Sequence, residues 1–355
     1  MKAHSARIGL EIHVELATET KLFCSCANRF GAEPNTLCCP VCLGLPGALP
    51  ELNRRAVELA LRAAAALHGA VSPVSGWDRK HYFYPDLPKG YQVTQERMPL
   101  CRNGWLEIGT GEGARRIGIA RIHIEEDAGK LIHGTGETLV DCNRCGVPLI
   151  EIVTEPDLSS GAEAAEFLRT LRALLVACGV SDCRMQEGSM RCDVNLSLTA
   201  PEGGVPGTRT EIKNLNSFAF AEKAIAAEIR RQTAELEARG TVRRCTLRYD
   251  PAADRTVVMR VKESADEYRF LPEPDLPPLG IPAGLPERIR ASLPELPRET
   301  AQRLTEEYGL APCDASELAA VPGLSQWFGT AAARTEYPCI LAGLLLNDGR
   351  KYLTP

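Results

Sequence analysis

Three strand-like runs in this sequence carry acidic and imidazole side chains where a buried sheet would carry hydrocarbon. Ile8, Leu10, Ile12, Val14 and Leu16 alternate with Gly9, Glu11, His13 and Glu15. A period of two puts Glu11, His13 and Glu15 on one face. A second run holds His123 and ends in Glu125, Glu126 and Asp127; a third, from Leu149 to Glu155, holds Glu151 and Glu155. A buried, unpaired carboxylate is costly, so these groups need a cation, a basic partner or water. Carboxylates beside an imidazole suit Mg²⁺ or Mn²⁺, hard ions that often bridge to phosphates. Solvated faces of antiparallel strands are the plainer alternative, and convergence of separate segments on one cluster is what would select the metal site.

The chain has fourteen cysteines in 355 residues. Met1 to Arg7 is polar and the apolar run after it is broken by Glu11 and His13, which predicts no secretory leader. With no uninterrupted apolar stretch of about 18 residues, no membrane span is expected. The expectation is a cytoplasmic protein with reduced thiols. Two close pairs, Cys24-Ser-Cys26 and Cys39-Pro-Val-Cys42, lie in a Cys/Pro/Gly-rich loop over residues 20–50. Two short pairs can close a tetrahedron around a structural Zn²⁺ and leave no open position for chemistry. Cys38, next to Cys39, leaves the ligand choice open by one residue. Cys142-Asn-Arg-Cys145 is a second such spacing without a second pair near it, and reads as packing or as a redox pair.

Length favours about two or three domains. Hydrophobic residues at 44% and charged residues at 25% are ordinary for a globular protein and exclude fibrous and disordered classes. A net charge of -5 confines any RNA contact to a local patch. Helices are expected over Asn53–His68 with Asn53 as N-cap and Gly69 as stop, from Ser160 to Cys178, and over Phe218–Arg239 ending at Gly240. Strand-like text covers residues 70–160, Ser189–Thr199 and Thr208–Lys213, and Thr241–Arg260 reads as a hairpin. A dense run of prolines over residues 271–297 reads as a domain boundary. Beyond it, Arg298–Tyr308, Ala315–Ala319 and Ile340–Leu346 read as helices. No internal repeat is apparent.

There is no Walker-type phosphate loop and no His-Glu-x-x-His, and the Gly109–Gly113 run reads as a turn. Residues 79–92 mix cations, aromatics, Pro and Gly; Lys80, Lys89 and Tyr91 are candidates for phosphate or base contacts, against an ordered surface loop. Glu211, Lys213, Asn214 and Asn216 precede a helix and suit either a substrate or a helix cap. Arg230, Arg231, Arg239, Arg243, Arg244 and Arg248 form either a solvated face or an RNA patch.

Taken together, these segments resemble the B-subunit (GatB) family of tRNA-dependent amidotransferases. The matching runs are Gly9–Leu16, Cys39–Gly47, Tyr82–Gln92, His123–Lys130, Pro148–Asp157, Gly188–Asn195, Thr210–Phe218 and Pro272–Leu276, in the family's order. The resemblance implies an α+β fold: a glutamine-synthetase-like cradle domain with an antiparallel sheet over residues 1–280, a Pro-rich linker at 281–297 and an abbreviated helical domain at 298–355. It implies that ATP phosphorylates the side-chain carboxylate of misacylated Glu-tRNA(Gln) or Asp-tRNA(Asn), and that ammonia then displaces the phosphate. A glutaminase A subunit would release that ammonia, and a small C subunit would complete a heterotrimer. By the same resemblance Glu11, His13, Glu126 and Glu151 are the Mg²⁺ and phosphate cluster, with the choice between Glu125 and Glu126 resting on which neighbour faces inward. Lys80, Lys89 and Lys213 would contact phosphate or acyl phosphate, Tyr91 and Asn214 the nucleotide, and Cys24, Cys26, Cys39 and Cys42 a structural Zn²⁺.

The family's C-terminal tail domain is not expected in this chain, which puts tRNA affinity in question. Cys142, Cys145 and Leu271 also stand where the family pattern has other residues. Two rival readings remain: an ATP-dependent amide ligase acting on a small carboxylate without tRNA, and a non-catalytic scaffold.

Overall fold

The computed structural model describes residues 4–109, 113–199, 207–261, 268–321 and 323–349, without the side chains of Asn214 and Arg239. In chain order the strands are β1 Ser5–Glu15, β2 Ala70–Val71, β3 Val74–Ser75, β4 Asp78–His81, β5 Tyr91–Thr94, β6 Cys101–Ile108, β7 Arg115–Glu126 and β8 Lys130–His133. They continue as β9 Thr138–Asp141, β10 Pro148–Thr154, β11 Met190–Thr199, β12 Thr210–Leu215, β13 Cys245–Asp250, β14 Arg255–Val261, β15 Arg269–Pro272 and β16 Leu279–Gly280. The helices are α1 Arg54–Ala66, α2 Gly161–Ala177, α3 Phe218–Arg239, α4 Leu285–Ala291, α5 Pro297–Tyr308, α6 Pro312–Ala319, α7 Leu324–Ala332 and α8 Pro338–Leu344.

Nine strands make one sheet in the order β14-β13-β12-β11-β1-β10-β7-β6-β2. Every neighbouring pair in it is antiparallel except β12–β13. That exception departs from the expected antiparallel sheet. Its cause is α3, which carries the chain from β12 to β13 as a crossover, the connection that parallel neighbours need. A bulge between Val153 and Thr154 shifts the register of β10 on β7.

Alternation divides the sheet chemically. Ile8, Leu10, Ile12 and Val14 of β1, Ile122 and Ile124 of β7, Ile150 and Ile152 of β10, and Met190, Cys192 and Val194 of β11 are all buried in one core. Helices α1, α2 and α3 cover that apolar side. Burying each large aliphatic side chain contributes about 1.5–3 kcal/mol. The alanines of α1, among them Ala56, Ala60, Ala63 and Ala64, are fully buried and bring its backbone close to its neighbours.

Helix ends follow their local signals. Asn53 Oδ1 accepts from the backbone N–H groups of Arg55 (2.8 Å) and Ala56 (3.3 Å). Ser160 and Ser217 cap α2 and α3, and Gly240 ends α3 at φ 71°. At the end of α1 the expected stop is displaced by one residue. His68, not Gly69, takes the left-handed conformation at φ 56°, and its ring stacks on Trp105 at 3.8 Å. Gly69 serves a close approach instead, since a Cβ there would lie 2.5 Å from Cys101 Sγ.

The Pro-rich run contains α4, with Pro286 in its first turn, where a missing N–H leaves no bond unmade. Leu285, Ile289, Leu293 and Leu296 from this stretch pack against the main core. A second cluster, with Leu304, Leu310, Leu318, Leu324 and Phe328, is built by α5 to α8. Of these, α7 had no counterpart in the sequence reading.

One polar knot lies on the apolar side. Glu228 of α3 is fully buried and accepts from Thr210 Oγ1 (2.8 Å), Thr256 Oγ1 (2.8 Å), Gln232 Nε2 (2.9 Å) and both arms of Arg231. Removing one partner of such a buried charge leaves the other uncompensated. Glu228→Ala is expected to lower stability by about 3–5 kcal/mol in urea unfolding; a loss below about 1 kcal/mol would contradict this role.

Candidate active site

The other face of the sheet is polar, and strand register alone builds it. His13 on β1 lies opposite Glu151 on β10, and Glu151 lies opposite His123 on β7. Two residues along, Glu125 falls on the same face as His123. His13 Nε2 is 3.3 Å from Glu125 Oε1 and 3.6 Å from Glu151 Oε2; His123 Nε2 is 3.2 Å from Glu151 Oε2 and 3.6 Å from Glu125 Oε2. Thr94 Oγ1 of β5 donates to Glu125 at 3.2 Å. One ligand atom each from His13, Glu125 and Glu151 lies within 4.8 Å of the others, a spacing at which one cation can touch all three.

The electrostatics are those of a tightly paired cluster. Burial opposes charge on His123, but Glu151 and Glu125 outweigh it and raise its pKa to about 9. His13 is likewise raised against burial, by its hydrogen bond to Glu125 and the charge of Glu151. Burial works against ionised Glu151, yet His123 and His13 bring it down to about 2; the same two imidazoles hold Glu125 well below its ordinary value. His123 Nδ1 is buried with no partner, so its ring is held from the Nε2 side only.

Beside this cluster stands a second group. Glu11 faces Asp193 of β11 across the β1 pairing, and Asn195 of β11 faces Glu211 of β12. Ligand atoms of Glu11, Asp193 and Glu211 also lie within 4.8 Å of one another. Lys213 Nζ bridges Asp193 (2.5 Å) and Glu211 (2.8 Å), and Asn195 Nδ2 donates to Glu11 at 2.8 Å. Burial, then Glu151, raises the pKa of Glu11. Arg191, opposite His13, binds Asp127 at 2.7 Å.

The comparisons with known proteins bear on this chain as a whole. The family model described as the GatB/GatE catalytic domain matches residues 6–286. The chain belongs to the GatB/GatE catalytic domain family. It is 53% identical over 323 residues to the aspartyl/glutamyl-tRNA(Asn/Gln) amidotransferase B subunit of Caldicellulosiruptor saccharolyticus, covering 90% of this chain and 67% of that protein. It is 49% identical over 349 residues to the corresponding protein of Moorella thermoacetica, covering 97% of this chain and 73% of the relative. With its counterpart in Caldanaerobacter subterraneus the identity is 48% over 351 residues, or 99% and 74%.

Within this GatB-family chain the expected site residues fall into separate places. Glu11, His13 and Glu151 share the polar face, but Glu126 does not join them. Alternation along β7 turns Glu126 to the opposite side, where it accepts from Lys89 and from the backbone N–H of Val93 (2.9 Å). Glu125 stands where Glu126 was expected. Lys80 lies outside the cluster on β4, with Nζ 4.6 Å above the Tyr268 ring and 5.8 Å above that of Tyr82. Lys89 Nζ is 5.2 Å from the Tyr91 ring, and Arg79 covers that ring at 4.3 Å. Lys213 is in the second group; the Asn214 side chain lies outside the described residues. Asp193 and Arg191 were missed, although Arg191, Asp193 and Asn195 repeat the period-two signal of Glu11, His13 and Glu15.

The sulfurs of Cys24, Cys26, Cys39 and Cys42 lie within 4.8 Å of one another. Cys39 and Cys42 Sγ are 3.9 Å apart, close to the roughly 3.8 Å edge of a tetrahedron with 2.3 Å metal–sulfur bonds. The donor set therefore fits a tetrahedral thiolate metal. Cys38 points away, to Asn143 Oδ1 at 3.8 Å. The Cys42 thiol is pushed down to about 4, first by the Cys24 thiol donating to it, while burial raises Cys26 to about 11. A cavity of about 120 Å³ is lined by Cys24 and Cys42 of this loop together with Lys89, Tyr91 and Glu126. Among the described residues no helix is long and apolar enough to cross a membrane.

A raised histidine pKa stabilises the folded state at low pH. The increment from His123 is complete below its ordinary 6.5 and is lost as pH rises through about 9. In chelator-treated protein the unfolding midpoint should fall across that interval, and His123→Asn should flatten the fall. A midpoint that rises from pH 6.5 to 9 would contradict the assignment.

Proposed function

We propose that this chain is the B subunit of a tRNA-dependent amidotransferase, a carbon–nitrogen ligase. It would amidate the side-chain carboxylate of Glu carried on tRNA(Gln), or Asp carried on tRNA(Asn), at the expense of ATP. The observation that carries this reading is the convergence of His13, Glu125 and Glu151 on one polar face, in a chain about half identical to named B subunits.

A carboxylate is a poor acyl donor, and phosphorylation supplies the leaving group that ammonia displaces. Amide formation of this kind needs a site that gathers phosphates and then admits an amine. His13, Glu125 and Glu151 would hold Mg²⁺, and their mixed imidazole and carboxylate donors suit that ion or Mn²⁺. When bound, the ion would neutralise phosphate charge and the charge that develops during transfer. His123 orients Glu151 from behind, and Thr94 orients Glu125. Lys213 and Arg191 offset part of the acidic charge on the same face, through Asp193 and Glu211 and through Asp127. Cys24, Cys26, Cys39 and Cys42 would hold a structural Zn²⁺.

Ammonia would come from a glutaminase A subunit, and a small C subunit would complete the assembly. The reach of the family match, residues 6–286, supports reading residues 1–280 as the catalytic, glutamine-synthetase-like unit and the helices from residue 298 as a separate one.

The test is co-purification with candidate A and C subunits, followed by transamidation of misacylated tRNA. Formation of Gln-tRNA(Gln) or Asn-tRNA(Asn) that needs ATP and glutamine is the expected result. ATP cleavage driven by a free acid without tRNA would point to a tRNA-independent ligase instead. Within the working complex Glu125→Gln should cost about a hundredfold or more in rate, since even partners of a metal ligand are worth about 10–100-fold. Mg²⁺ affinity should fall in Glu125→Gln and stay unchanged in Glu126→Gln; the reverse order would restore Glu126 to the cluster.

A further inference from the structure

Lys21 is a lysine with no exposed surface. Such a cation is stable only beside a negative charge, because burial removes its water. Among the described residues Lys21 enters no ion pair with a carboxylate, and Nζ donates to the Leu37 carbonyl oxygen at 2.8 Å. A single neutral acceptor does not balance a buried ammonium.

Its surroundings do offer a charge of another kind. The Lys21 backbone N–H donates to the Cys26 carbonyl at 3.0 Å, which closes the turn holding Cys24 and Cys26. The side chain then runs past Gly146, where a Cβ would meet Cys42 Cβ at 3.5 Å, Lys21 Cδ at 3.7 Å and Glu126 Oε2 at 3.9 Å. Its end reaches Leu37, two residues before Cys39. Lys21 is thus tied through its backbone to the Cys24–Cys26 turn and through its ammonium to the segment that leads into Cys39. Glu126, the acid beside Gly146, is engaged by Lys89.

We propose that Lys21 is the buried counter-charge of the Cys24, Cys26, Cys39 and Cys42 metal–thiolate centre. This rests on the structural-zinc reading above. Four thiolates and one divalent ion carry a net charge of about -2, and Lys21 is the cation built into the loop to offset it. Lys21 is a positioning residue, and it makes no contact with a reacting atom.

The role has a signature that simple packing lacks. Removing the charge weakens the metal-loaded protein and relieves the metal-free one. Lys21→Met keeps the length of the side chain, and Lys21→Gln keeps a donor for the Leu37 carbonyl. Both are compared with wild type as the full chain purified with zinc, by metal analysis, transfer of Zn²⁺ to a chromogenic chelator, and thermal unfolding with and without metal. Wild type should hold one zinc per chain. In the variants zinc transfer should be at least about tenfold faster, the loaded midpoint lower, and the metal-free midpoint equal to or above that of wild type. A wild-type chain without metal would sink the zinc reading and the proposal with it. Metal in wild type with transfer rates within about twofold in both variants, or an equal loss of midpoint with and without metal, would overturn the role of Lys21 alone.

Discussion

Two imidazoles and two carboxylates held against one another by three neighbouring strands are the constraint around which this molecule is arranged. The contacts of His13, His123, Glu125 and Glu151 depend on β1, β10 and β7 keeping one pairing. Each charge alone would be expensive in a sheet this deeply buried; together they neutralise one another. The three helices and the aliphatic side chains on the reverse hold that pairing in place. The apolar face thereby fixes the geometry of the polar one.

The cysteine loop is tied to the same machinery from behind. Leu22 donates its backbone N–H to the Gly146 carbonyl, Asn53 ties the start of α1 to Thr20, and Asn143 accepts from the Leu37 N–H at 2.8 Å. Arg144, next in the chain, reaches the carbonyls of Ala128 and Gly129, just past Glu126 and Asp127. A metal staple in the loop would therefore stiffen the segment that ends β7. A thiolate centre without an open coordination position, as proposed for the four cysteines, would thereby have a reason to sit near the proposed reaction site.

What could be read from the residues alone was local. Asn53, Ser160, Ser217 and Gly240 announce helix ends because caps act within one turn. The strands of the site were visible because acids break an aliphatic alternation. The two cysteine pairs were visible because a tetrahedron tolerates few spacings. What escaped depended on partners far away in sequence. Glu125 and Glu126 are chemically alike, and only the pairing of β7 decides which one faces His13. Asp193 and Arg191 sit in a strand whose polar face gains meaning once β1 lies beside it. The parallel pair β12–β13 follows from where α3 returns the chain, and α4 was hidden by prolines that usually mark breaks.

The bulge at Val153 and Thr154 lies on the far side of Glu151 from Glu125. A sheet reads its residues by odd and even number, so an insertion of one residue between Arg121 and Glu125 would rotate isoleucines into the cluster and carry its acids into the hydrocarbon layer. The irregularity marks where that odd–even order is already broken. Between it and the end of β7, adding or removing one residue would reverse the face that each following side chain takes.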